Sequence, residues 1–150
     1  MGKQLRWDLK KFEELNVNEL YALLRLRSEV FVVEQNCVFL DMDDKDQLSY
    51  HLLGWKDELL VAYTRLVPPG AAYNLPSIGR VVTSPAERRN GLGKLLMKKS
   101  IEETRRLFGH TSIKIGAQVY LKKFYASLGF EPSGDVYLED GIEHIGMILS

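Results

Sequence analysis

The sequence predicts an α/β domain, on three observations. Short apolar, β-branched runs alternate with stretches of helical periodicity along the chain. One such run, Ile78-Gly79-Arg80-Val81-Val82-Thr83, leads through a polar turn opened by Pro85 into a glycine-rich helix start. The helix that follows, from Gly91 to about Phe108, sets Gly93, Leu96, Met97, Ser100, Ile101 and Thr104 on one broad half. Lys94, Lys98, Glu102, Arg105 and Arg106 lie on the other, so the helix packs on a sheet.

The remaining elements follow in order. Leu5 to Lys10 alternates Leu, Trp and Leu with Arg, Asp and Lys, the pattern of a half-buried strand. Asn18 is a candidate helix cap, and Leu20, Leu23, Leu24 and Arg27 then recur at helical spacing. The helix extends to about Glu34, with the β-branched Val30, Val32 and Val33 expected to loosen its end. Asp41, Asp43, Asp44 and Asp46 form an acidic loop. Lys45 stands at a ligand position of a calcium loop and the obligatory glycine is missing, so the expectation is a solvated turn and no metal. His51 to Trp55 and Leu59 to Val67 are strands on either side of Lys56-Asp57-Glu58, and Pro68-Pro69-Gly70 ends the second. Gly109 ends the long helix. Ser112 to Gln118 is a strand, Leu121 to Leu128 a short helix closed by Gly129, and Phe130 starts another strand. Val136 to Leu138 and Ile142 to Leu149 form a terminal hairpin across Asp140-Gly141.

At 150 residues the chain reads as one domain, 1–150, with no repeat or linker. Twenty acidic and twenty basic residues balance, so no overall field points to a nucleic-acid or membrane partner. The single cysteine, Cys37, excludes an intramolecular disulfide and suits a reducing compartment. Met1 to Arg6 is not followed by an apolar signal core. Arg6 stands where a myristoylation signal on Gly2 has Ser or Thr, and no run is long enough to span a bilayer, so a cytoplasmic location is expected.

The turn carries the chemistry. Arg88, Arg89, Gly91 and Gly93 cluster where a helix begins, and a helix start offers unpartnered N–H groups and partial positive charge. The expected guest is an anion, most simply a phosphate. A Walker loop is excluded because Arg88 replaces its first glycine and Leu95 its magnesium-binding Ser or Thr. A dinucleotide fingerprint is excluded by the bulk of Leu96. What remains, Arg88-x-x-Gly91-x-Gly93 between strand and helix, resembles the acetyl-CoA signature of the GNAT family of N-acetyltransferases.

That resemblance implies a GNAT (acyl-CoA N-acyltransferase) fold, a mixed central sheet flanked by helices. The strand holding Val81 and Val82 and the strand ending at Gln118 would part to leave a V-shaped cofactor cleft. It implies main-chain contacts to acetyl-CoA from Val81, Val82 and Thr83, and a pyrophosphate site at Arg88, Arg89, Asn90, Gly91, Leu92, Gly93 and Lys94. A second motif, Gln118-x-x-Leu121-x-x-Phe124-Tyr125-x-x-x-Gly129-Phe130, is similar to the family's Asn-x-x-Ala-x-x-x-Tyr-x-x-x-Gly-Phe. It departs in having Gln for Asn and Leu for Ala, and it adds Gln118 and Phe124 to the cofactor contacts. Tyr125 matches the tyrosine near the thioester sulfur. A phenol with a reference pKa of about 10 stays protonated at neutral pH and can serve a departing thiolate as general acid; the other reading is a buried helix aromatic. Arg27-x-Glu29-Val30-Phe31-Val32-Val33-Glu34-Gln35, Cys37, the Asp-rich loop and Glu139-Asp140-Gly141-Ile142-x-His144 resemble the ElaA-type subgroup. Val38 and Phe39 stand where that subgroup often has Pro and Tyr, and Glu143 where it often has Pro.

Attack on a thioester needs a neutral amine, so a base must take a proton from the ammonium. Many members use a Glu on the strand before the turn, where this chain has Arg80. The candidates are Glu34, His51 and His144, with Glu34 and His144 favoured. In other roles Glu34 would cap a helix or pair with Arg80, His51 would sit half-exposed on its strand, and His144 would orient the hairpin. Cys37 reads as a small buried hydrophobe. The implied activity is transfer of acetyl from acetyl-CoA, a co-substrate, to a primary amine by direct attack in a ternary complex, with no metal. The acceptor is a small molecule or a peptide amine, and a homodimer is left open. The alternative is a non-catalytic acyl-CoA-binding or regulatory module on the same fold.

Overall fold

A computed structural model describes residues 5–150; the sequence reading of Met1 to Gln4 lies outside them. Eight strands form one sheet: β1 (Arg6–Lys11), β2 (Tyr50–Lys56), β3 (Leu59–Val67), β4 (Ser77–Thr83), β5 (Ile113–Gln118), β6 (Glu131–Pro132), β7 (Tyr137–Glu139) and β8 (Ile142–Leu149). Their order is β1-β2-β3-β4-β5-β8-β6, with β7 also on β8. Every pairing is antiparallel except β4 with β5, so the sheet is mixed. Three α-helices accompany it: α1 (Val17–Arg27), α2 (Leu92–Phe108) and α3 (Lys122–Ala126). No helix among the described residues is long and apolar enough to cross a membrane.

The one parallel junction is the feature that positions the site. β4 and β5 pair only at Ser77 and Lys114, where Lys114 N donates to the Pro76 carbonyl at 3.0 Å. Beyond that point the strands part, and their facing edges lack ladder partners. A bulge in β4 contributes to the departure. Against β3, Val82 pairs with Tyr63 and Gly79 with Arg65, so Arg80 and Val81 together oppose Thr64. Arg80 takes φ 47°, a left-handed conformation that costs a non-glycine residue free energy, and its guanidinium is held by Asp41 of the acidic loop, as described below.

The two sheet faces bury different helices. Leu23, Leu26 and Val30 pack on Leu53, Trp55, Tyr63 and Val82. On the other face, α2 and α3 cover two adjoining clusters: Met97 and Tyr125 meet Ile78, Ile113, Ile115 and Met147, while Leu92 and Leu96 meet Leu52 and Val61. Leu96, Met97, Ser100 and Thr104, assigned to the apolar half of α2 from periodicity, are buried, and Leu92 joins them.

Several local expectations are corrected. The cap of α1 is Asn16 rather than Asn18. Asn16 Oδ1 accepts from Glu19 N at 2.8 Å and Glu19 Oε1 accepts from Asn16 N at 2.9 Å, a reciprocal box that needs the acidic residue three positions on. After Arg27 the chain continues as a π-helical turn over Ser28–Glu34, with Gln35 N bonded to Val30 O and Cys37 N to Val32 O, each five residues back. The expected Leu121–Leu128 helix is shorter, Lys122–Ala126, and begins with a 3₁₀ turn over Val119–Leu121. Gly91 caps α2 with φ 73°, and Asp140 and Gly141 make the hairpin turn with φ 52° and 78°.

Candidate active site

The space between the parted strands is a cleft of about 620 Å³. Val81, Val82 and Thr83 of β4 form one wall, and Ile115, Gly116 and Gln118 of β5 the other. Phe124 and Tyr125 of α3 and His144 of β8 close it, and Arg88 and Gly93 stand at the mouth. Arg89, Asn90, Gly91 and Lys94 are exposed on the turn and do not line the cleft itself. The Leu92 side chain is buried against the sheet, so only its main chain is left to meet a ligand. The start of α2 is open to an anion: no side chain caps it and no acidic residue occupies its first turn. Arg89 and Gly91 both have positive φ, 75° and 73°, a curl that turns successive N–H groups toward one point.

One short stretch reaches three parts of this site. Glu34, at the end of the π-helical turn, meets Arg88 through two hydrogen bonds of 2.6 and 2.7 Å. The side-chain amides of Gln35 and Gln118 exchange bonds of 3.2 and 3.4 Å across the cleft. Cys37, buried, donates its thiol to the Asp140 carbonyl at 3.2 Å. The partner of Glu34 is therefore Arg88, not Arg80. Its hydrogen bonds hold the Glu34 carboxyl below the usual carboxylate range, which makes it a weaker base.

Arg80 belongs to a network that overturns the solvated-turn reading of the acidic loop. Arg27 bonds Asp41 at 2.7 Å and Asp46 at 2.8 Å, Arg65 bonds Asp43 at 2.7 Å and Asp46 at 3.0 Å, and Arg80 bonds Asp41 at 2.8 Å. Arg27 is wholly buried, and Asp41 and Asp46 are nearly so. Burial pushes the Asp43 and Asp46 carboxyls up, but the arginine hydrogen bonds and charges outweigh it and leave both below the ordinary value. His51 is corrected likewise. It is fully buried rather than half-exposed, with Nδ1 2.6 Å from the Tyr63 hydroxyl and Nε2 2.9 Å from the Asp46 carbonyl. Burial lowers its pKa, and it takes no part in the cleft. The loop so anchored carries Cys37 and Phe39 into the cleft wall.

Tyr125 and His144 both bring functional atoms to the cleft. The Tyr125 ring is buried edge-on against Phe124 and Phe130, and its hydroxyl takes no hydrogen-bond partner among the described residues. Burial raises its pKa, so the phenol stays protonated. His144 Nδ1 lies 2.8 Å from the Ile142 carbonyl. A carbonyl only accepts, so Nδ1 carries the hydrogen and the neutral ring keeps its lone pair on Nε2. That nitrogen is 3.8 Å from Glu139 Oε2, and the Tyr137 ring stacks on the imidazole at 5.8 Å. Sequence reading gave Gln35, Phe39 and Glu139 no role, although all three line the cleft. Their one signal was membership of the stretches that carry the subgroup resemblance.

Comparison with known proteins agrees with the geometry. The Acetyltransferase (GNAT) domain family matches residues 28–150. Protein ElaA of Escherichia coli is 44% identical over 145 residues, 95% of each chain, and its crystal structure superposes with a TM-score of 0.91 over 98% of this chain and 100% of that one. The crystal structure of an acyl-CoA N-acyltransferase from Pseudomonas aeruginosa is 43% identical, with a TM-score of 0.92 over 98% of this chain and 100% of that one. A Bacillus subtilis acetyltransferase in complex with CoA shares the fold at 21% identity and a TM-score of 0.64, over 97% of this chain and 98% of that one.

Proposed function

This chain belongs to the GNAT acetyltransferase family, and from that premise we propose that it moves the acetyl group of acetyl-CoA to a primary amine by direct attack in a ternary complex. The observation that carries the reading is the parting of β4 and β5 beyond Ser77 and Lys114, with an uncapped helix start at the mouth and a buried phenol within. The pyrophosphate sits on the N–H groups of Asn90 to Lys94, beside Arg88 and Arg89. The pantetheine runs between the strands and pairs with the main chain of Val81, Val82 and Thr83, as an added strand pairs with a sheet edge. Gln118 and Phe124 bound the same channel.

The ammonium of the acceptor first loses a proton. Between the two favoured bases, His144 fits better: Nε2 holds a lone pair in the cleft, whereas the Glu34 carboxylate is engaged by Arg88. The amine nitrogen then bonds the acyl carbon as the C–S bond breaks. Tyr125 gives its proton to the departing thiolate, and the nitrogen loses its remaining extra proton to solvent. Release of free CoA from acetyl-CoA in the presence of a panel of primary amines tests the reading. Amine-dependent release that falls at least a hundredfold in His144→Gln supports it. CoA binding without release for any amine rejects transfer and leaves a binding module.

A further inference from the structure

Where His144 meets the cleft, two hydrogen-bond acceptors face each other. The neutral His144 ring keeps its lone pair on Nε2, because Nδ1 donates to the Ile142 carbonyl. Glu139 Oε2 lies 3.8 Å from that nitrogen, beyond direct hydrogen-bond reach, and both residues line the cleft. The hairpin fixes the pair. β7 and β8 set Tyr137 opposite His144 and Glu139 opposite Ile142, so the four side chains share one face. The Tyr137 ring stacks on the imidazole, its hydroxyl is tied to that of Tyr73, and the turn is fastened by the Cys37 thiol at the Asp140 carbonyl. The His144 side chain is 9% exposed and that of Glu139 55%, so the carboxylate stands toward solvent and the imidazole within. Arg80 and Arg88 of the cleft are engaged by Asp41 and Glu34. Among the described lining residues, the charge left unbalanced is that of Glu139 and Asp140.

We propose that Glu139 selects the acceptor: it seats the amine as its ammonium ion between Oε2 and the Nε2 of His144, and so restricts acceptors to strongly basic alkyl amines. An ammonium group brings several donors and a charge. Hydrogen bonds of about 2.9 Å to both atoms meet at roughly 80° over the 3.8 Å gap, which bends each by only about 15°. A hydroxyl has one donor and no charge, and an aryl amine is neutral at pH 7, so neither makes the two charge-assisted bonds. The proton then passes to His144. One N–H bond of the ammonium breaks, its electron pair stays on the amine, and a new N–H bond forms at Nε2. The positive charge moves by one hydrogen bond and stays beside the same carboxylate. Glu139 therefore stabilises both states, and its effect falls on binding rather than on the chemical step. The proposal rests on the cleft being the transfer site.

The test uses 1-pentylamine and 1-pentanol, equal in length and different in head-group charge, on the CoA-saturated protein at pH 7. Binding is read by calorimetry, and transfer is followed separately with acetyl-CoA. The amine should bind roughly tenfold tighter or more, as a hydrogen bond to a charged group warrants. That preference should vanish in Glu139→Gln, which keeps the size of a half-exposed side chain, and persist in Glu139→Asp, which keeps the charge. With an acceptor that releases CoA, Glu139→Gln should raise the amine KM by about tenfold and leave kcat within about threefold, the pattern of lost uniform binding. No preference for the amine, binding of neither probe, or a preference that survives Glu139→Gln overturns the proposal. Transfer with an unaltered amine KM in Glu139→Gln keeps the reaction and rejects the seat. Glu139-dependent, cation-selective binding without transfer to any amine keeps the seat and rejects the reaction.

Discussion

Replacing Arg27 with Met removes the hub of the buried network and leaves the rest of the fold its hydrophobic stem. Three arginines, at 27, 65 and 80, face three aspartates, at 41, 43 and 46, so the cluster is neutral. Without Arg27 two cations face three carboxylates, and the excess charge falls on Asp41 and Asp46, both almost fully buried. Breaking a buried ion pair costs about 3–5 kcal/mol. Here each aspartate keeps one arginine, Asp41 through Arg80 and Asp46 through Arg65, so the loss belongs at the lower end, about 3 kcal/mol. At roughly 2–4 °C per kcal/mol for a chain of this size, the melting temperature should fall by about 6–12 °C. The control is Arg88→Ala, which removes an equally short ion pair whose side chains are 39% and 40% exposed. Exposed pairs contribute about 0–1 kcal/mol, so that variant should melt within about 4 °C of the parent. Chemical and thermal unfolding read both. A loss below about 1 kcal/mol in Arg27→Met, or equal losses in the two variants, would refute the claim that burial makes the difference.

Three further outcomes follow from the same geometry. Asp43 and Asp46 are depressed in the folded chain, so their stabilisation is complete above the ordinary carboxylate value of about 4 and is lost as pH falls below it; the melting temperature should hold from neutrality to about pH 5 and drop steeply below pH 4. Tyr125→Phe should slow amine-dependent turnover by about 10²–10⁴-fold with acetyl-CoA affinity kept. Because the hydroxyl has no protein partner, the melting temperature should not fall, and a variant that melts lower while turning over normally would mark a structural tyrosine. Gly91→Val meets open space, but a β-branched residue at φ 73° is strained. The turn should deform and lose acetyl-CoA while circular dichroism stays native; calorimetry showing parental affinity would sink the pyrophosphate assignment.

The order of elements and the strand–turn–helix junction at Arg88 to Gly93 were legible because both are local. Periodicity marks the buried face of α2, and Arg88-x-x-Gly91-x-Gly93 states a strand–turn–helix junction within a few residues. The acidic loop was misread because its partners are remote: Arg27 lies 14 residues from Asp41, Arg65 19 from Asp46 and Arg80 39 from Asp41. Four aspartates within six residues look solvated until the fold delivers three guanidinium groups to Asp41, Asp43 and Asp46; only Asp44 stays exposed. His51 failed for the same reason, since its partners are a tyrosine on the next strand and a carbonyl of that loop. Glu34 reads as a base in isolation, and only the tertiary structure sets Arg88 against it. The π-helical turn was half legible: three β-branched valines signal a weakened α-helix, but not the five-residue bonds that replace it.

Transfer of the acetyl group to an amine is the claim on which the rest depends. The measurement that meets it most directly supplies acetyl-CoA labelled with carbon-13 at the carbonyl, together with an acceptor that releases CoA. The account predicts that the label moves from thioester to amide in amount equal to the CoA released, with none on the protein at any time. Label held by the chain, at Cys37 for example, or CoA release without labelled amide, would contradict it.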